Sequence, residues 1–225
     1  MARLDNGTPQ GRRVNKMKIY SYSITRDYGF APNPYFGICT LATCKPKIRS
    51  GCQIGDWVIG FGGSNLPTKN KLIFIMEVSE KMSFDEYWED SRFLIKKPRF
   101  DKSIKYCYGD NIYHHNEAGE WIQENSHHSY GDRINEKNLK TDTGRTDQVL
   151  ISNNYWYFGD EALELEERFK CFLPKCRDCK KFSDDKSIRI FKQLVDYLSQ
   201  NYDKGMNGIP YTQKKKVKFT TYKGA

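Results

Sequence analysis

The chain has 225 residues, 37 Lys and Arg against 28 Asp and Glu, and 14% Phe, Trp and Tyr. That length suffices to bury a core without disulfides or metals, no apolar run nears the roughly 20 residues of a membrane helix, and residues 1–16 lack the apolar stretch of a secretory signal. Seven scattered cysteines fit reduced thiols better than a disulfide framework, so a cytoplasmic protein with no membrane partner is expected.

Residues 1–16 are rich in Gly, Asn and Arg, lack periodicity and read as a flexible leader. Met17 to Thr25 alternates as a strand, and Arg26 to Pro34 has the Gly and Pro density of an ordered loop. Tyr35 to Ala42 resumes as a second strand. Ile54-Gly55-Asp56 is a turn in which Gly55 can take a positive φ and Asp56 can accept backbone N–H bonds. The apolar run Trp57 to Phe61 should then pair with Lys71 to Val78 across the Ser64 to Asn70 loop. Ser83 with Glu86 three residues on forms a capping box that starts a short helix. Ile95 to Asp147 is a long polar stretch with little periodicity, the kind that is usually functional when ordered. Gln148 to Phe158 reads as a strand. Ile188, Phe191, Leu194, Val195 and Leu198 recur at helical spacing with Gly205 as a stop, and Lys214, Lys215, Lys216 and Lys218 form a basic tail.

Several chemistries lack their signature. No Gly-rich phosphate loop is present and no Gly-x-Ser-x-Gly elbow, and no Cys comes with a readable activating partner. Cys171, Cys176 and Cys179 include a CxxC, but the local sequence offers no fourth zinc ligand. No metal site and no cofactor are expected.

The order of strands around the Gly55-Asp56 turn resembles small PUA-like barrels, including the EVE and ASCH domains, in which a pocket beside such a turn accepts a base. A closer resemblance runs from Met17 to about Phe169. It is carried by Lys18-Ile19-Tyr20-Ser21-Tyr22, Asp27 to Pro34, Cys39 to Pro46, Gly55 to Gly60, Phe84 to Trp88, Tyr108 to His114, Ser126-His127-His128-Ser129, Val149 to Ser152 and Tyr157-Phe158-Gly159. These blocks are similar to the nucleotide modification associated domain 2 family of bacteria and phages, and the resemblance implies a setting in base or nucleotide modification. The expected architecture is α+β: a small PUA-like β-barrel over residues 17–169 with peripheral helices and long ordered loops. A Cys-containing segment and helix would follow at 170–205, and a basic tail at 206–225.

Two loops are the candidate walls of a pocket. In Tyr108 to His115, Asn111 can read a base edge, Tyr113 can stack, and Asp110 and His114 are the candidate general bases if the protein is an enzyme. In the other, Arg26 can clamp a phosphate while Asp27, Tyr28 and Asn33 address a base or sugar. His127 and Lys45 complete the set. Adjacent histidines point apart in a strand, so one of each pair, His114-His115 and His127-His128, can join a common site. Lys45, Lys47 and Arg49 alternate along an extended segment as a basic stripe. The leading expectation is recognition of a modified base or nucleotide, with nucleic acid or nucleotides as partners. An enzyme using the same pocket is the alternative, and a scaffold for other proteins of a modification system is the third reading.

Overall fold

The computed structural model describes residues 16–174, 179–215 and 218–221. The expected leader apart from Lys16, Cys176 of the CxxC and Lys216 of the tail lie outside the described residues. In chain order the strands are β1 (Ile19–Ile24), β2 (Cys39–Leu41), β3 (Trp57–Gly62), β4 (Leu72–Glu77), β5 (Glu80–Met82), β6 (Tyr113–His115), β7 (Trp121–Gln123), β8 (Val149–Ser152), β9 (Tyr155–Tyr157), β10 (Lys180–Phe182) and β11 (Gly205–Met206). The α-helices are α1 (Pro46–Gly51), α2 (Phe84–Glu89), α3 (Ile104–Cys107), α4 (Glu136–Thr143), α5 (Asp185–Asn201) and α6 (Tyr211–Lys214).

A central mixed sheet runs β10-β1-β3-β4-β9-β11, and a second sheet runs β2-β8-β5. The strands β3 and β4 read as continuous apolar runs because the central sheet is covered on both faces. One face presents Ile19, Trp57, Ile59, Ile75 and Trp156 to Phe191, Leu194 and Leu198 of α5. The other presents Tyr20, Tyr22, Val58, Phe74 and Tyr157 to Cys39, Leu41 and Leu150 of the second sheet. That second sheet turns Val149 and Ile151 outward to Phe84, Tyr87, Tyr108 and Tyr113. Gly60 sits where Phe74 crosses β3: a Cβ there would lie 2.2 Å from the ring.

Local chemistry explains the elements. Asp56 locks its turn by accepting from the Lys18 N–H at 2.8 Å and the Gln53 N–H at 2.9 Å, and Gly55 takes φ 85°. Trp57 is core, packed edge-on to Phe191. The Ser83 capping box forms as expected. On α5, Asp184 accepts from the Ser187 N–H at 2.9 Å and caps the helix.

The small closed barrel does not form among the described residues. Its absence has a local cause: the Gln148 to Phe158 run is broken where Ser152 Oγ bonds the backbone of Asn154, so β8 and β9 join different sheets. The fold is mixed α+β with several open sheets. The expected strand over Tyr35 to Ala42 shortens to Cys39–Leu41 because Phe36 and Gly37 both take positive φ. The long polar stretch contains α3, the β6-β7 hairpin and α4. No described helix is long and apolar enough to cross a membrane.

Candidate functional site

A cavity of about 290 Å³ opens between the end of β1, the Arg26 to Ala31 loop, the start of α1, the His127-His128 turn and α4. This lies just below the range of about 300–1,000 Å³ typical of ligand pockets. Of the sequence candidates, Arg26, Tyr28, Lys45 and His127 line it. Tyr28 stacks on Tyr108 at 5.2 Å and packs against His127 at 4.6 Å; Phe30 lies 4.7 Å from His128. Lys45 Nζ sits 4.5 Å from the Tyr22 ring centroid.

His127 and His128 both face this cavity, against the expectation that one of the pair would be turned away. They lie in a turn rather than a strand. Ser129 Oγ accepts from the Ser126 N–H at 2.8 Å and donates to the Gly131 carbonyl, and Ser126 Oγ accepts from the His128 N–H. Burial drives the His127 imidazolium down to about 3, so the ring is neutral at pH 7. Its Nδ1–H donates to the Thr220 carbonyl, which makes Nε2 the acceptor nitrogen. In β6 the strand rule holds: His114 stacks on Trp88 and bonds Glu124, while His115 turns to Asp85 and Trp121.

The other candidates are placed elsewhere. Asp110 is fully buried and accepts from Thr40 at 2.6 Å and Tyr87 at 2.9 Å, with burial pushing its carboxyl up. Asn111 donates to the Tyr87 carbonyl, and Tyr113 donates to Asp142 at 2.9 Å. Asn33 donates to the Tyr108 carbonyl and accepts from buried Lys96 at 2.8 Å. Asp27 is buried against the Tyr157 hydroxyl and the Tyr211 N–H. None of these five lines the cavity. The basic stripe does not exist as an extended segment, because Pro46 starts α1 and Arg49 is fully buried.

Reasoning from the sequence missed the polar floor of the cavity. Cys44 Sγ lies 3.7 Å from His128 Nε2, and His128 Nδ1 donates to Asp142 Oδ2 at 2.7 Å. Asp142 Oδ1 accepts from the Cys44 N–H at 2.7 Å. Arg49 ties the two segments together: its Nε donates to the Cys44 carbonyl at 2.8 Å and its Nη2 to the Asp142 carbonyl. Burial alone would lower the His128 imidazolium, but the Asp142 carboxylate outweighs it and holds it well above the usual histidine range. Burial would likewise raise Asp142, and His128 with Arg49 reverses that. Cys44 and Lys45 both take left-handed backbone, φ 58° and 44°, a conformation that costs non-glycine residues about 1–2 kcal/mol each. The available signal was the Ser126 to Ser129 block together with Cys44, but 84 residues separate Cys44 from His128 and 98 from Asp142.

The molecule is thus an α+β protein with an aromatic, cation-rimmed cavity floored by a thiol, an imidazole and a carboxylate. The chain belongs to the nucleotide modification associated domain 2 family, whose model matches residues 16–217 and so takes in α5 as well as the sheets. No curated protein and no solved structure matches the chain.

Proposed function

We propose that this cavity accepts a nucleobase or nucleotide in a nucleic-acid modification or defence system of bacteria and phages. The observation that carries the reading is the convergence of Tyr28, Phe30 and His127 with Arg26 and Lys45 on one small cavity, in a chain of a family tied to nucleotide modification. Aromatic faces stack on any base at about 1–3 kcal/mol each, and neutral His127 can read a base edge. Arg26 and Lys45 supply the cations that a phosphate needs. The base-accepting role expected of a PUA-like barrel is assigned here to a cavity on open sheets.

Recognition is the reading that the walls support, and the polar floor favours a second one, an enzyme acting on the bound group. The test is calorimetric titration of the full chain with nucleosides, nucleotides and short DNA and RNA, with and without base modifications. Binding weakened tenfold or more by Tyr28→Ala supports the cavity. Undiminished binding in that variant, or none by any ligand, sinks it.

A further inference from the structure

We propose that Cys44 is a catalytic nucleophile, activated by His128 and oriented through Asp142, and that its substrate is an acyl derivative, an amide or ester, of a nucleobase or nucleotide. This rests on the nucleotide reading of the cavity for the class of substrate, and on the geometry of the floor for the chemistry.

The ligand atoms of Cys44, His128 and Asp142 lie within 4.8 Å of one another, close enough to hold a metal ion, and the order of their hydrogen bonds favours a relay. Cys44 Sγ meets His128 at Nε2 and Asp142 meets it at Nδ1, so the imidazole stands between thiol and carboxylate. Both Asp142 oxygens already accept hydrogen bonds, Oδ1 from the Cys44 N–H and Oδ2 from Tyr113 and His128. That is the nucleophile, base and orienting group in the order acyl transfer requires. Cys44 is partly exposed on the cavity, whereas His128 and Asp142 are buried behind it. The raised proton affinity of His128 favours transfer of the thiol proton to Nε2.

A donor for the developing oxyanion is also at hand. The Tyr22 hydroxyl is buried and has no hydrogen-bond partner among the described residues, and Tyr22 lines the same cavity. Burial holds the Tyr22 hydroxyl protonated, and Cys44 acts on it in the same direction. An unpaired buried hydroxyl is destabilising, and an oxyanion in the cavity would supply the acceptor it lacks.

The steps balance with water as the one co-reactant. In the resting pair the Cys44 proton has already passed to His128 Nε2, and the thiolate forms a C–S bond to the carbonyl carbon. His128 then protonates the leaving amine or alcohol as its bond to that carbon breaks, leaving an acyl thioester. Neutral His128 next takes a proton from water, whose oxygen attacks the thioester; the thiolate leaves beside the imidazolium and the resting pair is restored. The products are a carboxylic acid and an amine or alcohol.

The experiment uses the full chain. Iodoacetamide, followed by peptide mass mapping, should modify Cys44 at least tenfold faster than exposed Cys171, and His128→Asn or Asp142→Asn should remove that advantage. The p-nitrophenyl ester of a carboxymethyl-uridine should give a stoichiometric burst of nitrophenolate and an acyl adduct on Cys44. Cys44→Ser should abolish both the burst and the adduct, and Tyr22→Phe, which leaves the relay intact, should slow the burst tenfold or more without slowing alkylation. Alkylation of Cys44 no faster than Cys171, no adduct with this ester or with p-nitrophenyl acetate, or stoichiometric zinc binding that blocks the thiol, would each overturn the proposal. Acylation by the simple ester without any nucleotide affinity would overturn the cavity's nucleotide reading and leave the nucleophile standing.

Discussion

The Asp142 carboxylate is the meeting point of three donors from three segments: the Cys44 N–H, the Tyr113 hydroxyl and His128 Nδ1. An amide cannot replace it, because its NH₂ would face at least one of those donors. Asp142→Asn should therefore destabilise the fold by about 3 kcal/mol or more, the cost of leaving a buried charge without its partner. Urea denaturation measures this, and a shift under 1 kcal/mol would refute it. The pair also sets a pH window. His128, raised in the folded state, contributes stability below its ordinary value that is lost as pH rises through its elevated one. Asp142, depressed, contributes stability above its ordinary value that is lost as pH falls. Stability from this pair should thus be greatest at mildly acidic pH, between the two ordinary values, and decline as pH rises from there toward about 10, and NMR of the His128 ring should show it protonated above pH 7.

Arg49 holds the backbone of that site rather than its side chains. Its guanidinium donates to the carbonyls of Cys44, Gln148 and Asp142 from a fully buried position beside the Phe84 ring. Lysine ends in one compact ammonium and cannot reproduce the fork that spreads Nε, Nη1 and Nη2 toward these three carbonyls. Arg49→Lys should cost about 3 kcal/mol, given about 1.5–3 kcal/mol for a hydrogen bond to a charged group. It should also lower Cys44 reactivity with iodoacetamide. Unchanged stability together with unchanged reactivity would show that the fork is dispensable.

What could be read from the sequence follows from the range of the interactions involved. The Asp56 turn, the Ser83 capping box and α5 are written in residues three or four apart, and all three form as expected. The aromatic wall was legible in part, since Tyr28 and His127 sit in recognisable blocks. Asp110 and Asn111 look like site residues because a carboxylate and an amide in a polar loop resemble a pocket. Folding instead spends them on Thr40, Tyr87 and Phe93, contacts that no local pattern shows. The Cys44 floor depends on Arg49, whose place in an apparent basic stripe gave no hint of burial.

Asp27 gives a pH dependence of its own. Burial pushes its carboxyl from 3.8 up to about 6, against the hydrogen bonds from Tyr157 and the Tyr211 N–H. A raised folded value means that this group's contribution is fully present below about pH 4 and is lost as pH rises through about 6. The stability of the wild type relative to Asp27→Asn should fall across that window, by at most roughly 3 kcal/mol for a shift of this size. Thermal melts at pH 4, 5, 6 and 7 test it, and a constant difference between the two proteins would contradict the shift.

Asp110 and Tyr28 separate a core role from a cavity role. Asp110 accepts from Thr40 and Tyr87 and acts electrostatically on Lys96, whose Nζ is held by Asn33, Tyr35 and Ile38. Asp110→Asn removes the charge facing buried Lys96 and should cost about 3 kcal/mol of stability. Nucleotide affinity of the fraction that remains folded should change less than threefold. His114→Ala, on the far side of β6 against Trp88, should leave affinity equally unaffected. Tyr28→Ala should show the reverse, a melting temperature close to wild type with affinity down tenfold or more, consistent with about 1–3 kcal/mol per stacked base. If His114→Ala or Asp110→Asn weakened binding as much as Tyr28→Ala at temperatures where all three are folded, the ligand would lie along the Tyr108 to His115 loop and not in the Cys44 cavity.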